Sequence, residues 1–197
     1  MLIPKVTLTG NGFDEDTKFL MYPDIGNRKM VMGSLYMEGL PYSVAVSDDK
    51  AYVGCGYEPG LQVIDISDPE NPQTIAYVKT PSTARSVAIS EDKAYVAYDD
   101  DWGRPAGLQV IDISDAKNPI TIASVDTQSI AYGVAVSNDK VYLAGSGDLK
   151  VIDISDPKNP SMIGYLDTLD SAFDITVSDG KAYVADGESG LQVNRHK

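Results

Sequence analysis

Gly60–Pro72 reads GLQVIDISDPENP, and this stretch decides the fold because the chain repeats it. Residues 107–119 read GLQVIDISDAKNP, and residues 148–160 read DLKVIDISDPKNP. A spacing of about 40 to 50 residues in a segment rich in β-branched residues is typical of solenoids and propellers. Each repeat contains four short strand patterns, which favours a propeller.

The four strand patterns of a repeat are called a, b, c and d in chain order. In the first full copy they fall at residues 43–46, 51–53, 61–66 and 74–79. Alternating apolar and small residues predict strand a, and the two apolar faces of strand c predict a sheet that is covered on both sides. The turn at residues 48–49 and the Asp, Asn and Pro residues after strand c interrupt pairing. We therefore predict an all-β protein built from four-stranded antiparallel blades.

The copies set the number of blades. Full copies span residues 42–84, 85–131 and 132–172, a partial copy spans 173–197, and residues 1–41 are a degenerate copy with patterns b, c and d. We predict one β-propeller domain over residues 1–197, with about five blades of which the first and last are incomplete. Two other arrangements stay open: terminal segments that compete to complete one blade, and an arc of a larger ring completed by a second chain or by further sequence. Unpaired apolar blade faces are costly, so homo-oligomers through the terminal blades are a further expectation.

The charge of the chain limits its partners. There are 29 acidic and 16 basic residues, giving a net charge of −13 at pH 7. A field of this sign repels phosphate backbones and anionic lipids, which argues against nucleic acid. No stretch approaches the ~18 apolar residues of a membrane span, and Met1–Lys5 lacks the pattern of a signal peptide. We expect no membrane insertion.

The Leu-x-Val-Ile-Asp core and the Ser-Asp-Pro-x-Asn-Pro segment after it resemble the LVIVD-repeat proteins. The resemblance covers Tyr42 to Val193 and is faint before Tyr42. It implies a β-propeller of bacterial or archaeal origin that is exported or displayed on the cell surface. It implies no reaction, because the motif is structural and carries no catalytic residues.

Residues that differ between copies are the candidates for function, because those that recur build the blade. In a propeller the d–a and b–c loops share one rim beside the channel mouth. The residues that open each strand a belong there, and they differ: Tyr42, Arg85, Tyr132 and Phe173. Three aromatic rings and one guanidinium suit a planar or anionic group; alternatively, they plug the channel. Asp174 follows Phe173 and is the only carboxylate among the next positions.

The b–c loops supply the other candidates. The second loop, residues 98–107, is the longest and contains Trp102, the only tryptophan, with Arg104 close by; the first loop contributes Tyr57. Tryptophan beside charged groups is typical of an anchor for a sugar or a protein, although such a loop can also fold onto its own tryptophan. Asp99 and Asp101 are weak calcium candidates, because the spacing of a calcium loop is absent. We expect no cofactor.

The familiar catalytic arrangements are poorly represented. His196 is the only histidine, and no Ser-His-Asp set can be assembled around it. Cys55 is predicted to be a small buried residue. Recurrent residues are given structural roles: strand-end carboxylates that hold the c–d turn, and strand b tyrosines that pack between blades. These are Asp65, Asp112 and Asp153, and Tyr52, Tyr95, Tyr142 and Tyr183.

The leading functional hypothesis is a non-catalytic binding scaffold that presents its variable b–c and d–a loops to a protein or glycan. The first alternative is a propeller hydrolase or lyase that uses rim carboxylates, Asp174 with Asp170 or with the Asp99–Asp101 loop, with or without a metal. The second alternative is a structural repeat segment of a cell-surface protein. An extracellular or surface location is implied only by the family resemblance.

Overall fold

A computed structural model describes residues 33–56, 60–99 and 105–195 of the chain. The chain divides into the units Met1–Met32 and Gly33–Lys197, and every described residue belongs to the second unit. The predicted degenerate copy at residues 1–41 therefore lies mostly outside the described residues. So do the candidates Tyr57, Asp101, Trp102 and Arg104, as well as His196.

The first two copies each form a four-stranded antiparallel sheet in which strand order follows chain order. The first blade comprises β1 (Leu40–Ser47), β2 (Lys50–Gly56), β3 (Gly60–Asp65) and β4 (Gln73–Lys79). The second comprises β5 (Thr83–Ser90), β6 (Lys93–Asp99), β7 (Gly107–Asp112) and β8 (Ile120–Asp126). These strands are the predicted a, b, c and d patterns of each copy.

The third and fourth copies are joined into one five-stranded sheet. It contains β9 (Ala131–Ser137), β10 (Lys140–Asp153), β11 (Ser161–Ser178), β12 (Lys181–Asp186) and β13 (Leu191–Arg195). β10 contains strands b and c of the third blade, and the chain reverses between them near Gly147, which has a φ of 85°. β11 is strand d of the third blade and then strand a of the fourth, pairing first with β10 and then with β12. The fourth blade therefore has strands a, b and c.

The predicted turns between strands a and b are present in all four copies. The first turn residue has a positive φ in each: Asp48, Glu91, Asn138 and Asp179. Asp and Asn tolerate this conformation better than most residues. After strand c, the carboxylates of Asp65, Asp112 and Asp153 accept the N–H of the serine two residues later, at 2.9 to 3.0 Å. The predicted role of these aspartates in the c–d turn is confirmed.

The core lies between successive blades. Tyr52, Leu61 and Val63 of the first blade are buried with Val87, Val96 and Ile111 of the second, and equivalent clusters join the second to the third and the third to the fourth. Tyr52, Tyr95 and Tyr142 belong to these clusters, which confirms that they pack between blades. The strands a of successive blades are also tied directly: Val87 N–H donates to Ser43 Oγ at 3.1 Å, and Val134 N–H donates to Ser86 Oγ at 3.2 Å.

The described blades do not close into a ring. Three complete blades and a three-stranded fourth are present, and β1 and β13 lie in different sheets. The predicted count of five depends on residues outside the described part. In that part, no helix is long and apolar enough to cross a bilayer. Its short 3-10 turn is at Gly187–Ser189.

Candidate functional site

The four variable residues that open strand a are each the extra residue of a β-bulge. The a–b register steps from Pro41 to Ser43, from Ala84 to Ser86, from Ala131 to Gly133 and from Ala172 to Asp174. The residues passed over are Tyr42, Arg85, Tyr132 and Phe173. A bulge bends its strand and redirects one side chain, and bulges are frequent beside binding sites. The same backbone device therefore presents tyrosine in the first and third blades, arginine in the second and phenylalanine in the fourth.

These four side chains form two contacting pairs. The Arg85 guanidinium carbon lies 4.7 Å from the centre of the Tyr42 ring. The Tyr132 and Phe173 ring centres are 5.5 Å apart, with the planes inclined by 38°. Tyr42 is 47% exposed and Phe173 is 57% exposed, so each pair keeps aromatic surface open to solvent.

The d–a and b–c loops lie together beside the bulges. Ser82 Oγ of one d–a loop donates to Pro105 O of the next b–c loop at 2.9 Å, and Glu188 N–H donates to the Asp170 carboxylate at 2.8 Å. A threonine in each d–a loop donates its hydroxyl to the backbone carbonyl two residues on. These threonines are Thr80, Thr127 and Thr168. The loops are thus held by recurrent bonds, while the residues between those bonds vary.

Arg85 is anchored from below by a buried carboxylate. Its Nε donates to Asp99 Oδ1 at 2.7 Å, and the Asp99 side chain is fully buried. In the first and third blades the position of Asp99, at the end of strand b, is occupied by Gly56 and Ser146. The second blade, which has an arginine at the bulge, is therefore also the blade that has an aspartate at this position. Asp99 has a structural partner here, in a place where the sequence suggested a weak calcium ligand.

Asp174 also has a structural role. Its Oδ1 accepts the N–H of Ile175 at 2.9 Å. At the two preceding interfaces, the equivalent N–H groups of Val87 and Val134 bond to a serine of the previous blade. Gly133 stands where that serine would be, and a Cβ on it would lie 2.9 Å from Asp174 Cα. Asp174 therefore accepts the Ile175 N–H from within the fourth blade. Gly133 of the third blade has no side chain that could accept it.

A shallow hollow of about 630 Å³ lies beside Phe173, between the last d–a loop and the last b–c loop. Its acidic lining is Asp170, Asp186 and Glu188. Asp186 is buried and accepts the N–H groups of Leu169 and Asp170 at 3.1 and 3.2 Å. The N–H groups of Glu188 and Ser171 bond to the Asp170 carboxylate and lower its pKa. An aspartate held in its ionised form by backbone donors is a poor general acid.

Asp186 was missed by the sequence reasoning. Its place near the end of strand b is taken by Cys55, Tyr98 and Gly145 in the other copies, and this divergence is the signal that could have found it. Lys150 was also missed. It replaces the buried Gln62 and Gln109 of the first two blades, and its Nζ bonds to Asp148 and Ser129 beside the third d–a loop.

The described residues 33–56, 60–99 and 105–195 contain no group of three or more His, Cys, Asp and Glu side chains placed to hold a metal ion. Cys55 is fully buried and its Sγ lies 3.6 Å from Gln62 Nε2. Burial raises the pKa of the Cys55 thiol, which keeps it protonated at neutral pH. The prediction of a small buried residue at this position is confirmed.

The LVIVD-repeat family model matches the chain at residues 39–80, 81–127, 129–168 and 171–193. The chain belongs to the LVIVD-repeat family. The four matches coincide with the four copies that carry a bulge, so the family unit and the structural unit are the same. No curated protein matches this LVIVD-repeat chain.

Solved structures with low sequence identity share the fold of this LVIVD-repeat chain. The computationally designed Ika4 protein is 15% identical, with a TM-score of 0.68 over 86% of this chain and 100% of Ika4. The designed Ika8 protein is also 15% identical, with a TM-score of 0.63, but the match covers 79% of this chain and 45% of Ika8. The β-propeller domain of Cps50 (Swd1) from Myceliophteria thermophila is 13% identical, with a TM-score of 0.60 over 78% of this chain and 52% of that one. The chain is thus a β-propeller that spans about half the length of the last two.

Proposed function

We propose that this protein is a non-catalytic binding module that takes up a protein partner on its rim. The rim is defined as the four bulge residues together with the d–a and b–c loops beside them. The observation that supports this most directly is the set of four bulges, which present three different side-chain types, Tyr, Arg and Phe, from one recurrent frame. Recognition of a partner requires variable exposed side chains on a recurrent frame. A purely structural repeat does not require this variation.

The chemistry of the fourth blade favours a polypeptide with apolar and basic side chains. Phe173 and Leu169 are both exposed there, beside the carboxylates of Asp170 and Glu188. Exposed apolar side chains rimmed by charge are typical of protein interaction sites. The net charge of −13 adds a field that draws a basic partner toward this surface.

The carboxylates at the rim have structural roles that compete with the enzymatic alternative. Asp99 pairs with Arg85, Asp174 accepts the Ile175 N–H, and Asp170 accepts two backbone N–H groups. A hydrolase would need at least two of these groups free to move a proton or hold a water. Binding of a partner requires no change in the structural bonds of these carboxylates. Placement of the module outside the cell rests on the family resemblance and stays a prediction.

The test is a selection against a phage-displayed random peptide library, run in parallel with a glycan array on the same labelled protein. We expect peptides with apolar and basic side chains to be retained. They should be lost when the rim is changed by Leu169→Ala together with Phe173→Ala. Tyr165→Ala, at a residue on strand d of the third blade whose exposure of 72% lies between those of Phe173 and Leu169, is the matched control and should retain them. Retention of glycans in place of peptides, or of neither, would overturn the proposal.

A further inference from the structure

Among the described residues, the fourth blade ends with an open edge. In the first three blades strand c is flanked by strand d, with Leu61 opposite Val78, Leu108 opposite Val125 and Leu149 opposite Leu166. β13 is the strand c of the fourth blade, and among the described strands it pairs only with β12. Leu61 and Leu108 are 0% exposed, whereas the equivalent Leu191 is 68% exposed and Val193 is 52% exposed. The leucine of this face is buried in every preceding blade and is bare at this end.

The other end of the described chain carries a segment that occupies the place of a strand d. Gln109 Nε2 donates to the carbonyl of Lys79, the last residue of strand d in the preceding blade, at 3.2 Å. The equivalent Gln62 Nε2 donates in the same way to the carbonyl of Glu38 at 2.8 Å. Glu38 thus stands where a preceding strand d would end, and Gly39 turns the chain into β1 with a φ of 85°.

Packing of this segment supports the same equivalence. Leu35 and Met37 lie against Ala51, Val53 and Ile64 of the first blade. Ala76 and Val78 of β4 contact the cluster shared with the second blade in the same way. Between these positions Tyr36 is exposed, as Tyr77 is in β4. Residues 33–38 therefore have the packing of a strand d but belong to none of the three described sheets.

The first blade also exposes the face that the other blades bury. Val87 and Val134 each pack against the preceding blade and are 7% exposed, whereas the equivalent Val44 is 63% exposed. In the second blade this face meets the blade face that carries Tyr52, Leu61 and Val63. The equivalents of those three residues in the fourth blade are Tyr183, Leu191 and Val193. The two ends of the described chain thus carry the two halves of an interface that the chain forms three times internally.

We propose that these halves join between two copies of the chain, with residues 33–38 of one copy pairing as strand d along β13 of the other. The internal c–d register then sets Leu191 opposite Met37, Gln192 opposite Tyr36 and Val193 opposite Leu35. Val44 of the donating copy covers the bare Leu191 and Val193. The first two internal interfaces also have an acceptor for the N–H at the position of Val44, the hydroxyl of Ser43 or Ser86. Asp174 holds that position in the fourth blade, and its carboxylate has capacity for a second hydrogen bond.

A second copy of the chain is the partner that fits the edge of β13, because every group in the new interface has an internal counterpart. The strand addition satisfies the free backbone groups of β13, and the apolar side chains give it specificity. The contact is head-to-tail, so each chain both gives and receives a strand, and the assembly is closed once the last copy meets the first.

Cysteine cross-linking tests the pairing and its register in the full-length chain. Tyr36→Cys and Gln192→Cys are placed on separate copies, one enlarged by a tag, and the two copies are co-expressed. We expect a disulfide-linked species containing one chain of each size, and none from either single variant alone. The buried native Cys55 is common to all samples and serves as background. A double variant carries Tyr36→Cys and Gln192→Cys on one chain. A disulfide that forms only within that chain would show closure inside a single molecule and overturn the proposal. The absence of any disulfide would also overturn it.

Light scattering tests the assembly without introduced cysteines. The wild-type chain should have a mass that is an integral multiple, two or more, of 21.2 kDa. Leu191→Glu together with Val193→Glu should give a monomer with an unchanged circular dichroism spectrum, because both side chains are exposed in the single chain. Ile120→Glu, at an exposed apolar position of the second blade, should leave the mass unchanged. A monomeric wild type, or assembly that survives the Leu191 and Val193 changes, contradicts the proposal.

Discussion

Arg85 Nε donates a hydrogen bond to Asp99 at 2.7 Å, and through this bond a fully buried carboxylate holds a bulge side chain at the rim. The same guanidinium lies over the Tyr42 ring of the preceding blade. Arg85 therefore connects the interior of the second blade with the surface of the first. At the rim, Arg85 positions Tyr42. Its removal is expected to destabilise the fold.

Arg85→Ala is expected to lower the free energy of unfolding by about 3–5 kcal/mol, because it removes the guanidinium that pairs with the buried Asp99 carboxylate. Arg85→Met combined with Asp99→Leu should recover most of that loss, since a buried ion pair and an apolar pair of similar volume are close in stability. Urea unfolding followed by circular dichroism measures both. As a control, Asp49→Ala removes an exposed partner of Lys50 and should leave the urea midpoint unchanged. Equal stability of Arg85→Ala and wild type would contradict the account of this pair.

Gly133→Ala is expected to destabilise the fold by about 1–3 kcal/mol through overpacking. The added Cβ would lie 2.9 Å from Asp174 Cα, where the backbone of the fourth blade must shift. Gly164→Ala is the matched control, because no atom lies within 4 Å of its Cβ position. It should be neutral or slightly stabilising, by restricting the unfolded chain. If thermal unfolding shows the two variants to be alike, the close approach at Gly133 is wrong.

Stability is expected to fall as the pH drops from about 4 toward 2. The hydroxyl and N–H of Ser114, with Lys93, lower the pKa of Asp112 from 3.8 to about 2. In this window the unfolded chain binds more protons than the folded chain, so stability rises with pH and is lost on acidification. Asp112→Asn should be less stable than wild type at neutral pH and should lose less stability between pH 4 and 2. Urea midpoints measured across this range check the slope, and an unchanged slope in the variant would count against the c–d turn bonds.

Cys55 should be inert to thiol reagents in the native protein. Its side chain is fully buried, and burial raises the pKa of its thiol. A native-state labelling experiment should show reaction only at the rate of unfolding, whereas Ser161→Cys, at an exposed position, should add a thiol that reacts at once. Rapid labelling of Cys55 in the wild type would show that the first blade opens locally.

Much of the fold could be predicted from local sequence. Strand patterns, the turn at Asp48 and the Asp112 turn all depend on residues within a few positions of each other, and each recurs in several copies. The rim positions could also be predicted, because comparing copies separates residues that build the blade from residues that are free to differ. The bulges themselves could not, since an unpaired residue such as Arg85 is defined only by the register of two strands.

Contacts between residues far apart in the chain could not be predicted from the sequence. Asp99 looked like part of an acidic loop, but its partner Arg85 reaches it only once strands a and b are paired. Asp174 looked like a free rim carboxylate, and its role follows from the space that Gly133 leaves in the neighbouring blade. Gln62 looked like a conventional strand residue, and its bond to Glu38, together with the packing of Leu35 and Met37, reveals that residues 33–38 take the place of a strand d.

The binding of a selected peptide, measured by isothermal titration calorimetry, tests the central claim most directly. That claim is that the bulge residues recognise a partner while the recurrent residues hold the blades. The account predicts that Leu169→Ala with Phe173→Ala raises Kd at least about tenfold, a loss of about 1.4 kcal/mol, with no change in melting temperature. Tyr165→Ala should stay within about twofold of wild type. Equal affinity of the rim variant and wild type would contradict the claim.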